Sequence, residues 1–489
     1  MRRSLLSGAA ALALAAPLLI AAPASASPPA IDWKPCADAP GVDCARLAVP
    51  LDWARPGGEQ IELSLARRKG TGAGEKLGTL MYGPGGPGGA GAKGLKHGKI
   101  LADPVYDHYD VVSYDSRGIG ESKPIACPDG PEPREWPTTE EQFRDLTAKS
   151  KQYIADCRKL SGPIYDHVDT RSDVRDMDAI RAAIGERKLN YYGVSYGTLR
   201  GQQYAEFFPR NVGRLVLDST MDHSMTSNWD FVRTESVARE EVFQQFVRWC
   251  ADKPECALHG QDVEKLVREL YDRADAGTLP DPDDPAQKYD GPRLAAHIES
   301  YTLSEEFAVL GTFLKTLRDS GTKPELLAAA PTAPNPTRAI WCNDWAYRVS
   351  GYEEFKKLDD GLRKVSPNIR FNGYNPWALV CAGQPAPVNP PHKLTLSRDV
   401  PPLLITNARH DPATAYPWAK SMEKQTGMTL VTYDGGGHGM YFVSKCEREY
   451  IHQYLFTGAV PPRGTHCAVE PRPSSARAEL PVPPDVATF

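Results

Sequence analysis

The residues best able to do chemistry begin with a serine in a short glycine motif. Residues 193–197 read Gly-Val-Ser-Tyr-Gly, the G-x-S-x-G pattern, and place Ser195 between an apolar stretch and a helical one. A serine on such a strand-to-helix turn is held in a strained backbone conformation, so its neighbours must lack a Cβ where strand and helix approach. The N-terminus of the helix behind it favours developing negative charge. We therefore predict that Ser195 is a nucleophile.

A serine nucleophile needs a base, and the base needs an acid that orients it. His438 lies in the glycine-rich residues 435–439, directly after an apolar strand. Asp411 precedes His438 by one predicted helix and one predicted strand, in the chain order serine, acid, histidine. Asp218, at the end of an earlier strand, is the alternative acid. We expect Ser195, Asp411 and His438 to form a catalytic triad.

A glycine-rich loop can supply the third requirement, which is a set of donors for a developing oxyanion. Residues 83–89 read Gly-Pro-Gly-Gly-Pro-Gly-Gly and follow a predicted strand. Pro87 has no N–H, so we expect the backbone N–H groups of Gly86 and Tyr196 to form the oxyanion hole.

The sequence predicts neither a cofactor nor a metal. The same glycines fit the dinucleotide pattern G-x-G-x-x-G, but they do not open a helix cleanly, and no Walker sequence follows them. His410 beside Asp411 could suggest a metal pair, but no third ligand appears at a useful spacing.

The elements that must position these residues alternate between strand and helix. Strands are predicted at residues 45–51, 60–67, 77–82, 109–114, 189–194, 214–218, 402–406 and 428–433, and helices at 172–184, 196–208, 413–424 and 445–456. This alternation implies right-handed crossovers and a largely parallel sheet. We interpret residues 115–122, which follow one strand, as structural, with an interaction between Asp115 and Arg117 that shapes the turn.

The same patterning divides the chain after its first 26 residues. Residues 27–222 and 396–470 carry the α/β pattern, whereas the helix-rich residues 223–395 form a candidate cap inserted between them. We predict an α/β-hydrolase, with a mostly parallel central sheet, helices on both faces and an inserted helical cap. Residues 471–489 are predicted to be loosely ordered because they are rich in proline and alanine.

The first 26 residues predict export. Two arginines precede an apolar run at residues 5–20, and Ala-Ser-Ala at 24–26 fits a cleavage site. We therefore predict a signal peptide at residues 1–26, no membrane anchor after its cleavage, and a secreted, extracellular protein. The net charge of -5, without a basic run, does not suggest a nucleic-acid partner.

The ten cysteines agree with export, because an even count in an exported chain suggests disulfides. The sequence does not determine their connectivity. Sequential pairing is the simplest proposal: Cys36–Cys44, Cys127–Cys157, Cys250–Cys256, Cys342–Cys381 and Cys446–Cys467.

These motifs together resemble the exported tripeptidyl aminopeptidases of actinobacteria, within the prolyl-aminopeptidase-like serine peptidases. The likeness covers nearly the whole chain after the signal peptide, and it is carried by the cysteine layout and by residues 83–91, 114–122, 191–198, 342–344, 407–412 and 435–439. It implies the same triad and a secreted serine exopeptidase that releases short peptides, expected to be tripeptides, through an acyl-enzyme. The expected partners are peptides or proteins with a free N-terminus.

Exopeptidase action requires a group that binds the substrate's ammonium, and carboxylates of the cap are the natural candidates. We single out Glu235 and Asp344, with Asp230 and Glu240 as further candidates. The alternative function is a secreted esterase or amidase of a small metabolite that uses the same triad. A binding protein on a hydrolase scaffold is a third hypothesis, against which the intact triad counts.

Overall fold

A computed structural model describes residues 31–470, except 130–135, 282–287, 304–305, 320–336, 371–378, 380 and 383. The predicted signal peptide and the predicted C-terminal tail lie outside the described residues. The elements named below all fall within them.

A ten-stranded sheet runs through the described residues and carries the site. Its strands are β1 (Lys34–Pro35), β2 (Asp43–Pro50), β3 (Gln60–Arg68), β4 (Thr79–Gly83), β5 (Asp110–Tyr114), β6 (Leu189–Val194), β7 (Val212–Asp218), β8 (Leu404–His410), β9 (Thr429–Gly436) and β10 (His466–Cys467). Their order is β1-β2-β3-β5-β4-β6-β7-β8-β9-β10. Neighbours from β5 to β10 pair in parallel, and β1 to β3 extend one edge in antiparallel fashion. The predicted mostly parallel sheet is confirmed.

Helices connect the strands and cover the sheet. They are α1 (Gly91–His97), α2 (Asp103–His108), α3 (Glu140–Ser161), α4 (Thr170–Ala183), α5 (Tyr196–Phe207), α6 (Asn228–Asp252), α7 (Val263–Asp275), α8 (Gly291–Leu303), α9 (Phe307–Asp319), α10 (Thr337–Asp344), α11 (Tyr352–Val365), α12 (Tyr416–Thr426), α13 (Met440–Val443) and α14 (Lys445–Thr457). Within the described ranges, none of these helices is long and apolar enough to cross a membrane.

The two faces of the sheet bury different sets of side chains because successive residues of a strand point to opposite faces. In β6, Tyr191 packs into the core shared with α4, α5 and α12. Its neighbour Tyr192 packs into the core shared with α1, α2 and α14. Helices therefore cover both faces, as the sequence predicts.

Six described helices, α6 to α11, lie between β7 and β8 in the chain, within the predicted cap. They have an apolar core of their own, which includes Phe243, Leu270 and Leu314. Phe231 of α6 and Trp341 of α10 instead join the core of the sheet, so these two helices pack directly against the strands and their covering helices.

The five proposed cysteine pairs are all bonded in the structure, with Cα–Cα distances of 4.1 to 5.8 Å. They are Cys36–Cys44, Cys127–Cys157, Cys250–Cys256, Cys342–Cys381 and Cys446–Cys467. Cys342–Cys381 fastens the C-terminal end of α10 to the chain that follows α11.

The expected interaction between Asp115 and Arg117 is wrong. Arg117 is fully buried and forms a bidentate ion pair with Asp176 of α4, with both N–O distances 2.7 Å. Asp115 instead accepts hydrogen bonds from backbone N–H groups, at 3.0 Å from both Ala92 and Glu121. Backbone N–H groups already bind both oxygens of Asp115, whereas α4 offers Arg117 a buried carboxylate.

Candidate active site

Ser195 lies on the sharp turn between β6 and α5, in a conformation that serine rarely adopts. Its φ is 57° and its ψ is -125°. The turn requires glycine on the helix side, because a Cβ at Gly197 would lie 2.3 Å from the carbonyl oxygen of Gly83. The Ser195 N–H donates to the carbonyl oxygen of Asp218 at 2.9 Å, which fixes the turn to the neighbouring strand. The serine is therefore held at the carboxyl edge of the sheet by strain and close packing.

His438 and Asp411 meet at the same edge. Nδ1 of His438 lies 3.0 and 3.1 Å from the two carboxylate oxygens of Asp411. Asp411 is fully buried, and its Oδ1 also accepts hydrogen bonds from the backbone N–H groups of Ala413 and Thr414, at 2.9 and 2.8 Å. The Thr414 hydroxyl donates to Oδ2 at 2.9 Å. These donors hold the carboxylate in one orientation, and with it the imidazole ring.

Asp218, the alternative acid, does not contact His438 in this way. Its Oδ1 accepts from the N–H of Met440 at 2.8 Å, and its Oδ2 accepts from the N–H of Tyr441 at 2.9 Å and the hydroxyl of Tyr192 at 2.6 Å. Burial raises the pKa of this carboxyl, and these hydrogen bonds oppose the rise. Asp218 thus fastens the start of α13, directly after the loop that carries His438.

Ser219 gives that loop a second attachment. Like Ser195 it has a positive φ, 56°, and it follows a strand of the sheet. Its hydroxyl accepts a hydrogen bond from the N–H of Gly439 at 2.8 Å. Because the N–H of Ser195 is bonded to Asp218, the chain around residue 218 links the serine turn to the histidine loop. Ser219 is not among the residues predicted from the sequence, because a serine after a strand carries no distinctive signal.

The glycine loop after β4 lies beside the serine turn, since Gly83 pairs in register with Gly193 of β6. Gly86 has a φ of 115°, which favours glycine. Tyr196 is the first residue of α5, where backbone N–H groups have no partner within the helix. The two predicted oxyanion donors therefore belong to adjacent segments at one edge of the sheet.

Glu235 of the cap helix α6 is buried next to the acid loop. Its Oε1 accepts from Nη2 of Arg239 at 2.5 Å, and Arg239 also forms an ion pair with Glu299 of α8. Nε of Arg239 donates to the carbonyl oxygen of Pro412, the residue after Asp411, at 3.1 Å. Arg239 thus bridges two buried carboxylates, Glu235 of α6 and Glu299 of α8, and holds them next to Pro412.

Asp344 does not fit the expected role of an ammonium ligand. It is fully buried, and its oxygens accept four hydrogen bonds, from the N–H and hydroxyl of Thr170, the side chain of Asn389 and the hydroxyl of Tyr196. Burial raises the pKa of Asp344 to about 7, and the charge of Asp169 acts in the same direction. Donors already occupy both oxygens, which fits a positioning role better than ligand binding.

The two further cap candidates also lie elsewhere. Glu240 is buried and accepts hydrogen bonds from Ser366, Asn368 and the N–H of Ile369, at 2.6 to 3.2 Å. It joins α6 to the segment that follows α11. Asp230 lies exposed in the first turn of α6, 3.8 Å from Arg233.

A buried carboxyl that the sequence analysis missed, Glu447, lies in the first turn of α14. Its N–H bonds to the hydroxyl of Ser444 at 3.2 Å, and this S-x-x-E spacing could have identified it as a helix start. Burial raises the pKa of Glu447 well above its usual value, and the charges of Asp218, Asp411 and Glu470 add to the rise. Burial and these neighbouring charges therefore favour the neutral form of the Glu447 carboxyl.

This shift predicts a pH dependence of stability that Glu447→Gln should remove. Because the pKa of Glu447 is higher in the folded than in the unfolded protein, folding takes up a proton at pH values between the two. The stabilisation that this provides is complete below about pH 4.5. It is lost as the pH rises towards the folded pKa, by about 1.4 kcal/mol per pH unit. Urea unfolding at pH 5 and pH 8 should show a smaller loss of stability in the variant than in wild type. The control is Glu449→Gln, at an exposed position of the same helix. If both variants keep the wild-type pH slope, the assignment is wrong.

The geometry at this edge defines a class of protein. A serine on a strained strand-to-helix turn, an acid–histidine pair on the following strands and a glycine loop beside them, on a mostly parallel sheet covered on both faces, describe an α/β-hydrolase of the serine hydrolase type.

Comparison with known proteins identifies the family. The family described as "TAP-like protein" matches residues 368–467, which contain Asp411 and His438. The tripeptidyl aminopeptidase of Streptomyces lividans is 31% identical over 91% of this chain and 88% of its own. The serine protease Hip1 of Mycobacterium tuberculosis is 30% identical over 89% of this chain and 91% of its own. The carboxylesterase B of the same organism is 27% identical over 87% and 86%. The chain belongs to the tripeptidyl-aminopeptidase-like family of serine hydrolases.

Proposed function

We propose that this chain is an exported serine exopeptidase that releases short peptides, three residues long, from free N-termini. The observation that carries the proposal is the placement of Ser195 and of the pair formed by Asp411 and His438 at one edge of the sheet, with the buried carboxylate of Glu235 held near the acid loop by Arg239. The names of the relatives, a tripeptidyl aminopeptidase and a serine protease, agree with this reaction. The five disulfides agree with export through the predicted signal peptide.

The reaction proceeds by acyl transfer. Oγ of Ser195 bonds to the scissile carbonyl carbon while its proton passes to Nε2 of His438, and Asp411 holds the imidazolium through Nδ1. The N–H groups of Gly86 and Tyr196 stabilise the resulting oxyanion. The C–N bond then breaks as the imidazolium protonates the leaving amine. Water attacks the acyl-enzyme, gives one proton to His438, and releases the peptide acid as that proton returns to Ser195.

The cluster formed by Glu235, Arg239 and Glu299 selects the free N-terminus. Its two carboxylates are buried, where a carboxylate attracts an ammonium group more strongly than in water. Arg239 ties the cluster to Pro412 beside the catalytic acid, so a bound N-terminus lies within a few residues of the scissile bond. A blocked N-terminus lacks the charge and gains nothing from the cluster.

A substrate panel tests this function. Peptidyl anilides with one, two and three residues should be cleaved best when they have three residues and a free amine. N-acetylation should lower kcat/KM at least about tenfold, which corresponds to ~1.4 kcal/mol. Glu235→Gln should raise KM for free-amine substrates about tenfold and leave kcat/KM for the acetylated substrates unchanged. The acetylated substrates therefore also show whether the variant is folded. The matched control is Asp230→Asn on the surface of the same helix.

An esterase is the second candidate, because one relative of similar coverage is named a carboxylesterase. It would use the same serine, histidine and acid on a different carbonyl. Simple esters belong in the same panel for this reason. Rapid turnover of esters with no cleavage of unblocked peptides would overturn the exopeptidase proposal and leave the serine hydrolase chemistry intact.

A further inference from the structure

Helix α10 of the cap contacts both segments that carry the proposed oxyanion donors. At its N-terminal end, the Thr337 hydroxyl donates to the carbonyl oxygen of Pro87 at 2.6 Å, one residue after Gly86. At its C-terminal end, Oδ2 of Asp344 accepts from the hydroxyl of Tyr196 at 2.5 Å. A single cap helix therefore spans the glycine loop and the first residue of α5.

The C-terminal end of α10 is itself fixed in several directions. Cys342 is bonded to Cys381. The carbonyl oxygen of Asp344 lies 2.7 Å from Nε2 of the buried His223, and the N–H of Asn389 donates to the carbonyl oxygen of Asn343 at 3.0 Å. A disulfide and two hydrogen bonds therefore hold the backbone at and next to Asp344.

The Asp344 carboxylate accepts hydrogen bonds from three segments of the chain: the start of α4, the start of α5 and the residues around Asn389. Thr170, the first residue of α4, donates its N–H to Oδ1 at 2.9 Å and its hydroxyl to Oδ2 at 2.6 Å. Asn389 donates to Oδ1 at 2.8 Å. The remaining donor is Tyr196, whose side chain is fully buried beside Trp341 and whose hydroxyl donates to Oδ2 at 2.5 Å. The Tyr196 ring is consequently tethered at its far end while its backbone follows Ser195.

We propose that Asp344 is a positioning residue that holds the Tyr196 tether, and so aims the Tyr196 N–H at the developing oxyanion. The proposal rests on the acyl-transfer function given above. Oxyanion donors work because they are fixed before the charge develops, so a small displacement lowers the rate without weakening ground-state binding. The tether supplies that fixation from the cap, through a contact 148 residues distant in sequence.

A double-mutant cycle tests the proposal. Asp344→Asn and Tyr196→Phe should each lower kcat about tenfold with little change in KM, because Tyr196→Phe removes this hydrogen bond and Asp344→Asn weakens it by replacing the carboxylate with a neutral amide. The double variant should be no slower than the slower single variant. The inhibition constant of a peptidyl boronic acid, whose tetrahedral adduct uses the oxyanion hole, should rise in parallel with the loss of kcat, which a merely structural role would not produce.

A matched control lies on the same helix. The hydroxyl of Tyr204 in α5 donates to a carboxylate oxygen of Asp178 at 2.9 Å, just over two helical turns from Tyr196. Tyr204→Phe and Asp178→Asn should leave kcat and the boronate inhibition constant unchanged. Equal losses in this pair would show that the effect is general loosening of α5 and would overturn the proposal.

Other outcomes are equally decisive. If the losses of kcat in the two single variants multiply in the double variant, Tyr196 and Asp344 act independently, and the proposed tether is wrong. If Asp344→Asn does not fold, Tyr196→Phe alone decides, and an unchanged kcat would refute the proposal. The cycle can be run on whichever substrate the wild-type enzyme turns over, peptide or ester, so failure of the exopeptidase function is seen separately from failure of the tether.

Discussion

Ser195→Ala is expected to abolish turnover, by about 10⁴-fold or more in kcat, while leaving the protein folded. The loss follows from the removal of the only atom that bonds to the substrate in the proposed reaction. The fold should tolerate the change because, among the described residues, the buried Oγ has no hydrogen-bond partner. The backbone already holds its φ of 57° without help from the hydroxyl. The measurement is kcat/KM on the best substrate of the panel, with the melting temperature alongside.

Ser150 provides a matched control for this experiment. It is buried on α3, and its hydroxyl likewise has no partner within the described part of the chain. Ser150→Ala should keep full activity and nearly the wild-type melting temperature. Labelling by a fluorophosphonate, which reacts with activated serines, should disappear in Ser195→Ala and persist in Ser150→Ala. Turnover or labelling that survives the loss of Ser195 would contradict the mechanism.

The parts of the site that could be predicted are those in which a chemical requirement and a local pattern coincide. The strand at residues 189–194 was predicted with the bounds that the structure has, because a mostly apolar stretch runs directly into the G-x-S-x-G motif. Asp411 and His438 each follow an apolar strand, and parallel strands bring their carboxyl ends to one edge. The sequence therefore predicted that Asp411 lies beside His438, with Asp218 as the alternative acid, and the structure places Asp411 against Nδ1 of His438.

Long-range polar contacts could not be predicted in the same way. Arg117 could pair with any buried carboxylate, and only the packed fold selects Asp176, 59 residues away. Asp344 looked like a substrate ligand because it lies in the cap, yet it faces α5 and the start of α4. The direction in which a helix faces depends on what it packs against, and one sequence does not contain that information.

Helix α3 is a different kind of omission, because its signal was present. Thr139 caps the helix by accepting from the N–H of Gln142 at 3.2 Å, and Phe143, Leu146, Ile154 and Cys157 are buried on one face. Charged residues between these positions dilute the apolar pattern. The helix is stable because the Cys127–Cys157 disulfide and contacts with α11 hold that face, and neither is visible in the local sequence.

Asp411→Asn and Asp218→Asn should separate the acid that serves catalysis from the acid that serves the loop. Asp411→Asn should lower kcat by about 10³- to 10⁴-fold, because an amide facing Nδ1 favours the wrong imidazole tautomer and removes the charge that stabilises the imidazolium. The side chain is nearly isosteric, and one of its ends can still accept from the N–H groups of Ala413 and Thr414. KM and the melting temperature should therefore change little.

Asp218→Asn should instead lower the melting temperature more clearly than it lowers kcat. Asp218 binds two backbone N–H groups and a hydroxyl, and an amide offers a single acceptor, so one of these donors is left buried without a partner. We expect a lower melting temperature and a loss of kcat of no more than about tenfold, since Ser219 still holds Gly439 and the loop of His438 with it. Both variants remove one buried carboxylate by the same isosteric change, so each controls for the other. A loss of kcat in Asp218→Asn as large as that in Asp411→Asn, at an unchanged melting temperature, would mean that His438 turns to Asp218 during the reaction.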